Sequence, residues 1–225
     1  MQGKGRLNRN FAIASAIILW LLCSMLGWAQ SSISPPDWDE ILKAGRTYFS
    51  DPTSENALEL YKALPKTQVR GVRDGQEFRD VFYFFDAHLG ALEHHVLLAD
   101  RNAVRVAVRL WTIADGAFAE VLSEMLGDLI QVDPKMFIEE IRNLPWPKDY
   151  GDFDEWLSQG NILCAAGIEG SEEIRRKKLE SRIRALETVT DSRFTKVRDH
   201  YISIIIRHLR DIGEYRDLDL SRQLS

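Results

Sequence analysis

The chain has 225 residues, 45% of them hydrophobic, with 29 Lys and Arg against 34 Asp and Glu, a formal charge of −5. That acidic balance argues against nucleic acid as a partner, which needs a surplus of basic side chains on one face, and against a polybasic membrane anchor. The two cysteines, Cys23 and Cys164, lie far apart, so a small disulfide-built module is excluded and an apolar core must hold the fold.

The first 29 residues read as a secretory signal peptide. Lys4, Arg6 and Arg9 supply a basic start, Phe11 to Leu26 an apolar stretch, and Gly27-Trp28-Ala29 the small residues before a cleavage site. The alternative is an uncleaved anchor over residues 11–28, since the apolar run approaches the roughly 18–20 residues that span a bilayer. In both readings the body is exported, to the periplasm or beyond, and any membrane contact is through this segment alone. After cleavage Cys164 has no partner in its own chain. Residues 30–36 form a linker with Pro35 and Pro36, residues 37–213 a single α-helical domain, and residues 214–225 a polar tail.

From Asp37 onward the apolar spacing is helical. Asp37 and Glu40 form a capping box ahead of Trp38, Ile41, Leu42 and Phe49. Asp51-Pro52 opens the next helix, with Asp51 as cap, and Pro65 ends it. After a polar loop carrying Arg70, Gly71, Arg73 and Gly75, one helix is expected through Phe78, Val81, Phe82, Phe85, Leu89 and Leu92. Asn102 to Trp111 is apolar nearly all round, with Arg105 and Arg109 sharing a narrow polar edge. The alternation of Val and Arg there also suits a strand, and the helical frame of the neighbours favours a helix. Asp115 to Ile130 is an amphipathic helix, and Asp133-Pro134 starts another that Pro145 stops. Pro145 to Gly170 is irregular. Ser171 to Val189 follows, with Ile174, Leu179, Ile183 and Leu186 as its inner edge, then Asp191 to Ile212. The fold class expected is therefore all-α, built of stacked antiparallel helical hairpins, either α-solenoid-like or an irregular bundle.

Four groups of side chains invite a chemical reading. His88, Glu93, His94 and His95 offer imidazole and carboxylate at helical offsets, as metal sites in helical proteins do, although no H-E-x-x-H or Glu-x-x-His signature occurs. Trp146, Tyr150, Asp152 and Trp156, with Asp154 and Glu155, combine aromatics and carboxylates as a binding groove does; the same acids also suit the start of a helix. Cys164 with His200 or His208 is the minimum for thiol catalysis, but apolar neighbours make it a packed, inert cysteine. Arg175-Arg176-Lys177-Lys178 is a solvated face, or a dock for an acidic partner. No residue is assigned a catalytic role and no cofactor is expected.

The segment Leu126 to Leu144, reading Leu-Gly-Asp-Leu-Ile-Gln-Val-Asp-Pro-Lys-Met-Phe-Ile at its start, resembles the inter-helix turn of HEAT-like repeats. The two Asp-Pro sites, at Asp51 and Asp133, are spaced by about two periods of the roughly 40 residues such repeats use. The resemblance extends over residues 37–144 and implies a scaffold that binds macromolecules along a concave face. The function expected is that of an exported helical scaffold mediating protein–protein interaction in the cell envelope. Two alternatives stay open: an envelope enzyme with its site in residues 146–170, and a metal-binding protein using the His88 to His95 group.

Overall fold

The computed structural model describes residues 36–66, 75–114, 116–142, 144, 162–166 and 171–223, with side chains up to 212. All belong to one compact unit, Pro36–Ser225. Among the described residues there are nine helices and no strand: α1 (Trp38–Ser50), α2 (Ser54–Ala63), α3 (Gln76–Asp86), α4 (Leu89–Leu97), α5 (Arg101–Ile113), α6 (Gly116–Val132), α7 (Pro134–Arg142), α8 (Glu172–Glu187) and α9 (Thr195–Gln223). None of these is long and apolar enough to cross a membrane.

The caps explain most boundaries. Asp37 accepts the Glu40 N–H at 3.0 Å and starts α1, whose buried residues Trp38, Ile41, Gly45 and Tyr48 follow helical spacing. Asp133 accepts the Met136 N–H at 2.8 Å, and Pro134 takes the first position of α7, where its missing N–H costs nothing. Ser171 caps α8 in the same manner. At Asp51-Pro52 the expectation fails by two residues. The cap of α2 is Thr53, while Asp51 ends α1 and its carbonyl and carboxylate accept from the Asn56 amide at 2.7 and 3.2 Å.

The long helix expected through Phe78 and Leu92 is two helices, broken at Ala87 and His88. The His88 ring is the reason. Its Nδ1–H donates to the Phe84 carbonyl at 2.7 Å, taking the acceptor that the His88 N–H would use, and that N–H turns to Phe85 instead. Residue Ala99 then adopts a left-handed conformation, φ 57°, which ends α4 and lets Asp100 cap α5 through the N–H groups of Asn102 and Ala103. The segment containing Arg105 and Arg109 is helical, not a strand, and is buried on nearly every side.

The hairpins stack in two layers. α1 and α2 fold back on each other, α4 on α5, and α8 packs on α9. α2 runs alongside α5 in the same direction: Ser54 meets Asn102 and Tyr61 meets Arg109, both 48 residues apart. α6 runs alongside α8 likewise, with Glu124 on Lys178 and Asp128 on Arg182, both 54 apart. α1 packs on α3 and α4 on α6, so α1, α3 with α4, α6 and α8 form one layer. α2, α5 and α7 form the other, which Phe137 continues to Tyr201 of α9 at 6.0 Å between rings. The core runs between the layers, from Trp38 and Ile41 through Val104, Leu110, Leu126 and Phe137 to Leu186 and Ile205. α9 continues to Gln223, through the stretch expected to be a tail.

Candidate functional site

Trp146, Tyr150, Asp152 and Trp156, with Asp154 and Glu155, lie outside the described residues. The four proposed metal ligands are placed, and they face different surroundings. His88 is half-buried, stacked on Phe49 at 4.7 Å and tilted on Phe84 at 4.5 Å, with Nδ1 committed to a backbone carbonyl. His95 sits edge-on to the buried Tyr48 ring, 6.0 Å away, and His94 is exposed on the outer side of α4. Glu93 is half-buried. Among the described residues no three His, Cys, Asp or Glu side chains gather in a way that would hold a metal ion.

Polar groups the sequence did not single out concentrate between the hairpins. Arg182, on the inner edge of α8, is fully buried. Its guanidinium donates to the Leu163 carbonyl at 3.0 Å, the Ile162 carbonyl at 3.4 Å and Asp128 at 2.9 Å. Burial lowers its pKa, against the pull of Asp128. Gly127 makes room for it: a Cβ there would lie 2.6 Å from the guanidinium carbon. Lys178 reaches both Glu124 and Asp128, at 2.8 and 2.9 Å. Burial alone would depress its pKa, and the hydrogen bonds to Asp128 and Glu124 outweigh that and raise it. So Lys178, read from the sequence as part of a solvated basic face, is an inter-helix tie, while Ile174, expected inside, is exposed.

Cys164 is buried beside this network, and desolvation pushes its thiol up to about 12, with Arg182 pulling the other way. A thiol so held is not ionised near neutrality and is no nucleophile. His200 and His208 lie on α9, where burial lowers the His208 pKa.

Arg109 is the second buried arginine. Instead of lining a polar edge with Arg105, it donates to the Tyr61 hydroxyl at 2.7 Å and the Pro65 carbonyl at 3.3 Å, 4.6 Å from the Tyr61 ring. Arg105 and Arg101 both bind Glu140, which is nearly buried on α7, and Arg101 also holds Glu139. These clusters join one hairpin to the next, Arg109 buried and Arg101 and Arg105 at the surface edge.

The outer face of α3 and α4 differs. Tyr83 and Leu98 are the most exposed large apolar side chains among the described residues, at 70% and 64%. Ala87, Gly90, Ala91 and His94, between them in sequence, are also exposed, although the break at Ala87 and His88 keeps one helical period from running through both helices. Each of the two helices thus carries one large apolar side chain on a side where a soluble protein normally shows charge. The inward-facing residues of the same helices, Phe78, Val81, Phe85, Leu89, Leu92 and Val96, are buried. The signal was present in the sequence as apolar residues left over once the core stripe is assigned.

Comparison with protein-family models, with curated proteins and with solved structures finds no match to this chain.

Proposed function

We propose that the chain is an exported, HEAT-like helical scaffold that acts by binding another protein chain in the cell envelope, with the exposed Tyr83 of α3 and Leu98 at the end of α4 among its docking residues. The observation that carries this reading is the exposure of Tyr83 and Leu98, two large apolar side chains left in water with no role in the chain's own core. Two further features support it. The hairpins stack as repeat proteins stack, with helices of the same layer running parallel at near-regular offsets, an architecture that presents extended surfaces instead of a single cleft. The N-terminal pattern of basic, apolar and small residues is that of an export signal.

The test is a Tyr83→Arg, Leu98→Arg double variant expressed from its native locus. Both side chains are exposed and outside the core, and Leu98 caps the end of α4 through its backbone N–H alone, which the change keeps, so thermal stability is expected to stay within about 0.5 kcal/mol of the parent. The parent is expected to migrate in a larger complex when envelopes are solubilised and resolved by native electrophoresis, and the variant to leave it. An unchanged complex, or no complex in the parent, would refute the assignment.

A further inference from the structure

The open end of the α8–α9 hairpin holds an arginine with no carboxylate partner among the described residues. At the other end Arg198 ties the turn by donating to the Val189 carbonyl at 2.8 Å, and Leu179, Leu186, Tyr201, Ile204 and Ile205 are buried along the pair. Beyond Ile205 the packing of α9 loosens: Ile206 and Arg207 are exposed, and His208, Leu209 and Ile212 are half-buried. Arg175 of α8 lies beside His208, itself half-buried, with its Nε shut off from solvent and without a hydrogen-bond acceptor. Arg101, Arg105, Arg109 and Arg182, by contrast, are each held by a carboxylate, a hydroxyl or a carbonyl. We propose that the contact of His208 with α8 is an acid-sensitive latch: a proton on His208 puts a second positive charge beside Arg175 and frees the end of α9, from Ile205 onward.

The surroundings of the imidazole set the direction. Burial is the main cause that holds its pKa below the ordinary histidine value; Asp211, exposed one turn further along α9, pulls it up in part, and Arg175 pushes it down. Glu172, one turn before Arg175 on α8, pairs with Arg176 at 3.7 Å, so the charge that meets the ring from α8 is a cation. The neutral ring suits the interface, and the charged ring suits water, the side on which Asp211 stands. Because the folded value is the lower one, the freed end of α9 binds the proton more tightly. The contact is therefore intact above about pH 7 and is lost as pH falls below the ordinary histidine value of about 6.5. The end of α9 is the part able to respond, since α8 is its chief neighbour among the described helices. Opening it uncovers Leu179 and Ile205, apolar surface that is closed at neutral pH.

The experiment is amide hydrogen exchange, read by mass spectrometry on the full chain in mild detergent at pH 7.5 and pH 5.0 and corrected for the intrinsic effect of pH on exchange. Peptides covering residues 205–212 are expected to lose protection at pH 5.0 by on the order of fivefold, while those of α5 keep theirs. His208→Gln, which cannot take the proton, should stay protected at both pH values. Arg175→Glu, which sets a carboxylate where the cation stands, should abolish the acid loss with the histidine still present, a result that burial of the ring alone would not give. His200→Gln, on the same helix, should behave as the parent does. Equal protection of 205–212 in the parent at both pH values overturns the proposal, as does an acid loss that persists in His208→Gln or in Arg175→Glu, or one that His200→Gln removes. If His208→Gln does not fold, the comparison of Arg175→Glu with the parent decides.

Discussion

Removing the carboxylate of Asp128 should cost more than removing the arginine it neutralises. In Asp128→Ala the Arg182 guanidinium stays fully buried, keeps two backbone carbonyls, and loses the only carboxylate among the described residues that bridges it. Breaking a buried pair from one side typically costs 3–5 kcal/mol, and because Asp128 is 23% exposed the low end applies, about 3 kcal/mol. In Arg182→Met the charge disappears with its burial penalty, and Asp128 keeps Lys178 at 2.9 Å. What remains is the Leu163 carbonyl without its donor, the Ile162 carbonyl keeping the Ala165 N–H at 3.3 Å, offset by an apolar side chain in an apolar place: about 2 kcal/mol. In the double variant the Asp128 change breaks only its pair with Lys178, which still has Glu124 at 2.8 Å, so the sum should fall short of additivity by about 1–3 kcal/mol. Urea unfolding followed by circular dichroism measures all three. A local readout accompanies it: with Ile162 and Leu163 untethered, Cys164 should react with a thiol reagent at least tenfold faster in Arg182→Met, scored by peptide mapping so that Cys23 does not contribute. Additive costs within about 0.5 kcal/mol, together with unchanged labelling of Cys164, would refute the account.

The other predictions concern single groups. Cys164 and Tyr48 are both buried and both held up at about 12, from 9.0 and 10.0, by burial first and in Tyr48 by Asp100 as well. Both acids are thus more easily ionised in the unfolded chain. Their contribution is intact below about pH 9 and is lost as pH climbs toward 12, and unfolding midpoints in urea between pH 8 and 10.5 should fall, less steeply in Cys164→Ala. Ala99 occupies the left-handed region at φ 57°, at a strain of roughly 1–2 kcal/mol for a residue with a Cβ. Ala99→Gly should therefore stabilise by about 0.5 kcal/mol after the added unfolded-chain entropy, and a lower thermal midpoint would count against it. Tyr61→Phe keeps the ring under Arg109 and removes the hydroxyl acceptor at 2.7 Å, so it should cost about 1.5 kcal/mol; a loss under 0.5 kcal/mol would mean that the ring alone holds the guanidinium.

Much of the architecture was legible because α-helices announce themselves in two independent ways, by apolar period and by end chemistry. Asp37, Asp133 and Ser171 cap the helices their positions suggested, and of the apolar stripe expected in α6, Phe118, Leu122, Met125, Leu126, Leu129 and Ile130 are buried while Val121 is exposed. The failures share one cause. His88 breaks a periodic run, Thr53 displaces Asp51 as a cap, and Arg182 takes an inner position, each through a specific side-chain hydrogen bond that period counting does not see. Ile174, grouped with Leu179 and Leu186 as an inner edge, stands five and twelve positions from them, roughly 140° and 120° round the helix, and it lies outside as that angle requires.

The buried charges answer a problem that stacked hairpins pose. Apolar stripes hold helices together but tolerate sliding by a turn, because one row of Leu, Ile and Val resembles the next. A guanidinium has fixed donor directions and a high cost of being left unpaired, so it penalises any other register. Three inter-hairpin contacts carry one: Arg109 on Tyr61 between α5 and α2, Arg101 and Arg105 on Glu140 between α5 and α7, and Arg182 on Asp128 between α8 and α6. Gly127 strengthens the argument, since a glycine inside α6 weakens that helix and is explained by the space Arg182 occupies.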